Sequence, residues 1–118
     1  DRGADVNEPD AIFGGTPLSG AAGNSEHPEI IDMLVSNGAR IEQVVGYKDK
    51  TPLIIAAEIN PNPAIIERLI ELGADVNYQD LSGQNALQQA INFSNTAVIP
   101  VLERHYENHA KKTVNTAL

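Results

Sequence analysis

The chain has no cysteine and no tryptophan, and its rings are three tyrosines and two phenylalanines in 118 residues. Without thiols there is no disulfide framework, no thiolate nucleophile and no cysteine metal site, a usage that suits a reducing compartment and sets the expected location in the cytoplasm. So few rings leave a core that has to be aliphatic. Basic residues are scarce too: eight Lys and Arg stand against sixteen Asp and Glu, a net charge of −8. The excess lies in the first hundred residues, with 14 acidic against 5 basic, whereas residues 101–118 carry 2 against 3. Such a surface repels phosphate backbones and anionic lipid, so neither nucleic acid nor a membrane is an expected partner, and a neutral or basic protein surface is the easier match. No apolar run approaches the roughly 18 residues that a membrane span needs.

Motifs for chemistry are missing as well. There is no Gly-x-Ser-x-Gly elbow and no glycine-rich loop ending in Lys-Ser or Lys-Thr; Gly14-Gly15 and Gly23 read as turn glycines. His105 and His109 are spaced as neighbours on one helix face, but Tyr106 stands where a zinc-protease motif has Glu, and no third ligand follows. A solvated polar face is the better reading of both. The sixteen carboxylates are scattered in the manner of solvating charge rather than paired for acid–base work. Asn92-Phe93-Ser94 matches a glycosylation sequon at chance-level spacing. Neither an enzyme nor a cofactor is expected.

What the chain does have is repetition. Gly3-Ala4-Asp5-Val6-Asn7 returns as Gly38-Ala39-Arg40-Ile41-Glu42 and as Gly73-Ala74-Asp75-Val76-Asn77, at steps of 35 residues. Thr16-Pro17-Leu18-Ser19-Gly20-Ala21-Ala22 is answered by Thr51-Pro52-Leu53-Ile54-Ile55-Ala56-Ala57 and then, one residue early, by Asn85-Ala86-Leu87-Gln88-Gln89-Ala90-Ile91. Between these blocks recurs an apolar phrase of helical period: Ile30, Ile31, Leu34, Val35; Ile65, Ile66, Leu69, Ile70; Val98, Ile99, Val101, Leu102. Two separated motifs agreeing at one period indicate stacked modules, each burying its apolar flank against the next.

With its Thr-Pro-Leu and Ala-Ala signatures, the unit resembles the ankyrin repeat. The resemblance runs from Gly3 to about Arg104 and implies a repeat solenoid dominated by α-helix, with helix–turn–helix units joined by β-hairpin fingers. On that reading one domain covers residues 1–112, as a remnant at 1–7 and units at about 8–42, 43–77 and 78–112, with a tail at 113–118. Asp1-Arg2 then stands for the end of a helix whose body precedes it, so the chain is expected to be cut from a longer protein, and its open N-terminal face could pair with a second copy.

Within each unit, Thr16, Thr51 and Asn85 are expected to cap an inner helix, and Pro17 and Pro52 to occupy its first turn, where no N–H is needed. Gly38 and Gly73 close the outer helices. Three departures from the family pattern stand out. Asp49 sits where the family has a turn glycine. Pro100 lies inside the third outer helix, so that helix is delayed to near Thr96 or kinked. The histidine that in the family follows Thr-Pro-Leu is Ser19, Ile54 or Gln88, which puts inter-repeat polar bonding in question and lets Ile54 extend the apolar contact. His27 is expected to bond the turn before Pro28.

The resemblance further implies a protein-binding module whose contacts come from finger tips and from inner-helix positions not used for stacking. Mapped onto this chain, the tips offer Ile12 and Phe13, then Val44, Val45 and Tyr47, then Tyr78 and Leu81. The inner helices offer Ser19, Gly20 and Asn24, then Ile55, Glu58 and Ile59, then Gln89, Asn92 and Phe93. Apolar and aromatic side chains at such places favour a partner, because aromatic anchors dominate interface energies. The alternative expectation is a regulatory or targeting segment of a larger enzyme or effector.

Overall fold

Each inner helix begins at the residue the repeat pattern marks for its cap. Thr16 Oγ1 accepts from Ser19 N–H at 3.2 Å and starts α1 (Pro17–Asn24); Thr51 Oγ1 accepts from Ile54 N–H at 3.3 Å and starts α3 (Pro52–Ile59); Asn85 Oδ1 accepts from Gln88 N–H at 2.8 Å and starts α5 (Ala86–Asn92). The outer helices are α2 (Pro28–Ser36) and α4 (Pro63–Glu71), each opened by its proline, and a 3₁₀ turn (Thr96–Val98) running into α6, residues 99–106. This computed structural model describes residues 6–8 and 15–106. Ile12, Phe13, His109, the tip of the first finger and the tail lie outside the described residues.

Inner helices stack on inner helices, α1 on α3 and α3 on α5, while α2 lies against α4, giving a body of 51 × 26 × 25 Å. The small residues of the repeat allow this close stacking: Ala22, Ala56, Ala57 and Ala90 are fully buried. Leu18 and Leu53 from the inner layer and Ile31, Ile65, Ile66, Leu69, Val98 and Leu102 from the outer layer fill the rest. Each large aliphatic side chain so placed contributes about 1.5–3 kcal/mol. The core is aliphatic throughout, as the shortage of rings requires. Ile54 joins it, buried beside its neighbours.

Ser19 and Gln88 turn inward to their own units. Ser19 Oγ accepts from Thr16 N–H at 2.9 Å and Gln88 Oε1 accepts from Asn85 N–H at 2.8 Å, each completing a reciprocal cap. Polar bonding between units runs instead through an asparagine ladder at the inner-helix ends. Asn60 Nδ2 donates to Ala22 O and Ser25 O, both at 2.9 Å, and Asn95 Nδ2 donates to Ala57 O at 2.9 Å and Asn60 O at 2.8 Å. A second ladder links the loops after the outer helices. Asn7 bonds Gly38 O and Arg40 N–H at 3.0 and 2.7 Å, and 35 residues on Glu42 accepts from Asp75 N–H at 3.2 Å.

Several local expectations are corrected. Gly23 is not in a turn but in the last turn of α1, where a Cβ would come within 2.8 Å of Ile59 Cδ1 and 3.2 Å of Ile55 Cγ2; close helix approach, not turn geometry, requires it. The turn before Pro28 is held by the backbone of His27, whose N–H donates to Ser25 Oγ and whose carbonyl accepts from Ile30 N–H, each at 3.0 Å; the ring has no part in these bonds. Asp49 takes the left-handed conformation itself, with φ 53°. Pro100 falls in the first turn of α6 because the chain enters through the 3₁₀ turn at Thr96, so the delayed start is the one observed. In the second finger a single antiparallel bridge pairs Val45 with Lys50.

From cap to ladder residue the first two units take nine steps, Thr16 to Ser25 and Thr51 to Asn60, but the third takes ten, Asn85 to Asn95. The extra residue is absorbed at Ser94, which adopts φ 57°, and Phe93 is left half-exposed at the end of α5.

Candidate functional site

The second finger and the inner helices of the second and third units meet around Lys50. Its Nζ lies 2.5 Å from Glu58 Oε2 and 5.7 Å from the centre of the Phe93 ring. Glu58 sits near the end of α3, directly after the buried alanines Ala56 and Ala57. Gln89, buried on α5, donates from Nε2 to Glu58 Oε2 at 2.9 Å and to Asp80 Oδ2 at 3.3 Å, and Asn92 donates to Gln89 Oε1 at 3.0 Å and Gln84 Oε1 at 3.3 Å. Four of the residues expected from the sequence, Glu58, Gln89, Asn92 and Phe93, are therefore brought into one network. Lys50, Asp80 and Gln84 complete it and were not expected.

Asp80 organises the third finger. Burial alone would raise its pKa, but the Ser82 hydroxyl, the Gln84 and Ser82 N–H groups and the charge of Lys50 together hold it below the ordinary aspartate value. Those bonds all end on Oδ1, from Ser82 N–H at 2.9 Å, Ser82 Oγ at 2.5 Å and Gln84 N–H at 3.2 Å. The network thus rests on a carboxylate that stays ionised.

Next to it is a pocket of about 220 Å³ lined by Val45, Gly46, Tyr47, Lys48, Lys50 and Ile55. Its rim is Tyr47, 87% exposed, with Lys48 Nζ 5.7 Å from the ring centre. Val45, Tyr47 and Ile55, three of the residues offered by the sequence, thereby line one pocket. The other expected residues divide. Leu81 is an exposed tip whose N–H donates to Lys48 O at 2.9 Å, tying the third finger to the second. Tyr78 is half-buried, with its hydroxyl donating to Asp49 O at 2.8 Å; burial and the charges of Asp49, Asp80 and Glu42 push that hydroxyl above the ordinary tyrosine value. Ile59 is half-exposed over Gly23, and Val44 is half-buried and does not line the pocket.

The family profile described as ankyrin repeats (3 copies) matches residues 2–80 and 18–116. The chain belongs to the ankyrin-repeat family. Relatives carry the same name: it is 34% identical over 89 residues to "Ankyrin repeat and SOCS box protein 6" of Mus musculus, 75% of this chain and 21% of that protein. To the Homo sapiens protein of the same name it is 32% identical over 90 residues, 76% of this chain and 21% of the relative. A "Putative ankyrin repeat-containing protein" of Treponema pallidum is 30% identical over 94 residues, 80% of this chain and 31% of the relative. The chain spans about a fifth of the length of the vertebrate relatives.

Among the described residues of this ankyrin-repeat domain, no three His, Asp or Glu side chains gather as a metal site would require, and no helix is long and apolar enough to cross a membrane. His105 is taken by Glu67 of α4, Nε2 to Oε2 at 3.0 Å, beside Arg104 Nη2 to Oε1 at 2.6 Å, so its role is to fasten α6 to α4. A larger hollow of about 500 Å³ lies among the turns after the inner helices, bounded by Gly23, Asn24, Glu26, Ile59, Asn60 and Asn62. Its asparagine amides already donate to backbone: Asn24 to Gly20 O at 3.1 Å, Asn60 to the first unit, and Asn62 to Glu26 O at 3.0 Å. It therefore offers few free donors, and the candidate site is the smaller pocket by Tyr47.

Proposed function

We propose that this ankyrin-repeat domain is a non-catalytic module that binds another protein across the second finger and the inner face of α3 and α5. The observation that carries the reading is that two exposed rings both lie by Lys50 of the polar network, Tyr47 lining a pocket with it and Phe93 facing its ammonium. Exposed aromatic side chains next to buried, hydrogen-bonded neighbours are the usual anchors of an interface. The net charge of −8 favours a partner whose overall surface is neutral or basic.

The test is capture of partners from a cell extract by the wild-type chain and by Tyr47→Ala/Ile55→Ala/Phe93→Ala, with circular dichroism showing that the variant keeps its helices. Partners held by the wild type and released by the folded variant support the reading. Equal capture by both sinks it. A second reading follows from the vertebrate relatives, in which the matched stretch is about a fifth of the protein. There the module is one segment of a longer chain, and this domain would serve to target or regulate an activity carried elsewhere.

A further inference from the structure

The pocket beside Tyr47 has the wrong charge for the chain that carries it. Its floor is apolar, Val45 and Ile55, and its charged lining residues are two lysines with no carboxylate among them. Lys50 is already paired with Glu58. Lys48 is not: among the described residues its recorded contact is the face of the Tyr47 ring, and none of the ion pairs includes it. Asp49, next in the chain, is in none of the ion pairs among the described residues, and its carbonyl takes the Tyr78 hydroxyl. The Lys48 carbonyl takes the Leu81 N–H, so the residue is anchored at the pocket through its backbone.

Size narrows the occupant. A void of about 150 Å³ admits one benzene ring, and small-molecule sites run from about 300 Å³ upward. At about 220 Å³ the pocket suits a single large side chain and not a nucleotide or a cofactor.

We propose that this pocket takes one large apolar side chain of a partner polypeptide whose neighbouring residue is Asp or Glu, the carboxylate pairing with Lys48 while the Tyr47 ring covers the apolar group. The inference rests on the protein-binding reading above and deepens it. It is compatible with a partner that is neutral or basic as a whole: the summed field of the chain acts on the partner's net charge, whereas Lys48 acts at a few ångströms on one residue. A charge pair at an exposed rim weakens with salt, so the preference for the carboxylate should fade as ionic strength rises.

The experiment is panning of a random displayed peptide library against the 118-residue chain, followed by titration of the synthesised consensus peptide. Titrations use wild type, Lys48→Glu, and the folded Tyr47→Ala/Ile55→Ala/Phe93→Ala variant. The expected consensus has a large apolar residue beside Asp or Glu, and its affinity falls about tenfold in Lys48→Glu, a change of about 1.4 kcal/mol. Changing that acid to Lys in the peptide should restore binding to Lys48→Glu. A consensus with Lys or Arg beside the apolar residue, or an acidic one indifferent to Lys48→Glu, overturns the inference and leaves the binding face standing if the triple variant still loses affinity. Peptides that bind the triple variant as well as wild type overturn both. No enrichment over the bare support overturns the inference.

Discussion

Replacing Asn60 tests how the units are held together. Its side chain makes three bonds in a site that is 3% exposed: Nδ2 to Ala22 O and Ser25 O at 2.9 Å each, and Oδ1 from Asn62 N–H at 3.0 Å. At about 0.5–1.5 kcal/mol per bond, Asn60→Ala should cost about 3 kcal/mol. With a urea slope near 1.5 kcal/mol per molar, the unfolding midpoint should fall by about 2 M. The sharper variant is Asn60→Asp, which keeps the shape but turns the donor into an acceptor facing two carbonyls. It should be less stable than Asn60→Ala at neutral pH. Those carbonyls raise the folded-state pKa of the new carboxyl, so its penalty is full above that value and is relieved as pH falls toward the unfolded value, near 3.9. Because two of the bonds join the first unit to the second, amide exchange should rise more in α1 and α2 than in α5 and α6. If Asn60→Asp matched the wild type at pH 7, or if the loss were spread evenly along the chain, the ladder would not be what joins these units.

Ser94→Gly should raise stability by about 0.5–1 kcal/mol, since the left-handed conformation costs an ordinary residue about 1–2 kcal/mol and glycine returns part of that gain as chain entropy, whereas Asp49→Gly should gain less because Asp tolerates that conformation; thermal melts check both. Glu42→Gln should raise the melting temperature at neutral pH: burial and the neighbouring Asp75 charge push Glu42 above the ordinary glutamate value, despite the opposing Asp75 N–H, so its ionised form weakens the fold. That gain should vanish in acid, below the unfolded value of about 4.3, where Glu42 is protonated in both states. Asp80→Asn should do the reverse: the lowered pKa of Asp80 supplies stability present above about 3.9 and lost as pH falls through the folded value, so the variant should be weaker at neutral pH and flatter through acid unfolding.

Much of this architecture could be read from the chain, because the features that set it are local and periodic. Caps at Thr16, Thr51 and Asn85, prolines at the helix starts and glycines at 38 and 73 mark the helix boundaries within each 34- or 35-residue unit. What escaped reading depends on contacts across units. Gly23 has the composition of a turn, and the Ile55 and Ile59 side chains that require it lie on another helix. Glu42 occupies the slot that Asn7 fills in the unit before, yet in the sequence it looks like one more surface charge. Ser25 hides the ladder because the first unit supplies a carbonyl to it and no amide. Lys50 carried no signal at all: its long side chain reaches Glu58 and Phe93 from a finger base, eight residues or more away in the chain. Tyr78 looked like a tip and serves as a brace between fingers.

The two seams of the inner layer are built differently, and the candidate site lies on one of them. In the inner layer, the contact between the first and second units is apolar and amide-capped, with Ile55 and Ile59 over Gly23 and Asn60 on the helix ends, and the ion pair joining these units, Arg68 to Asp32, lies between the outer helices. Between the second and third units the inner layer also carries charge, through Glu58, Gln89 and Asp80. Tyr47 belongs to the second unit and Phe93 to the third, so a partner touching both rings crosses that seam. A ligand that binds the closed form and not the opened one stabilises it in proportion to the logarithm of its concentration over Kd. Occupancy should therefore slow amide exchange in α5 and α6 while leaving α1 and α2 little changed, the opposite end from the one that Asn60→Ala releases. Protection spread evenly over all the helices would place the partner somewhere other than across Tyr47 and Phe93.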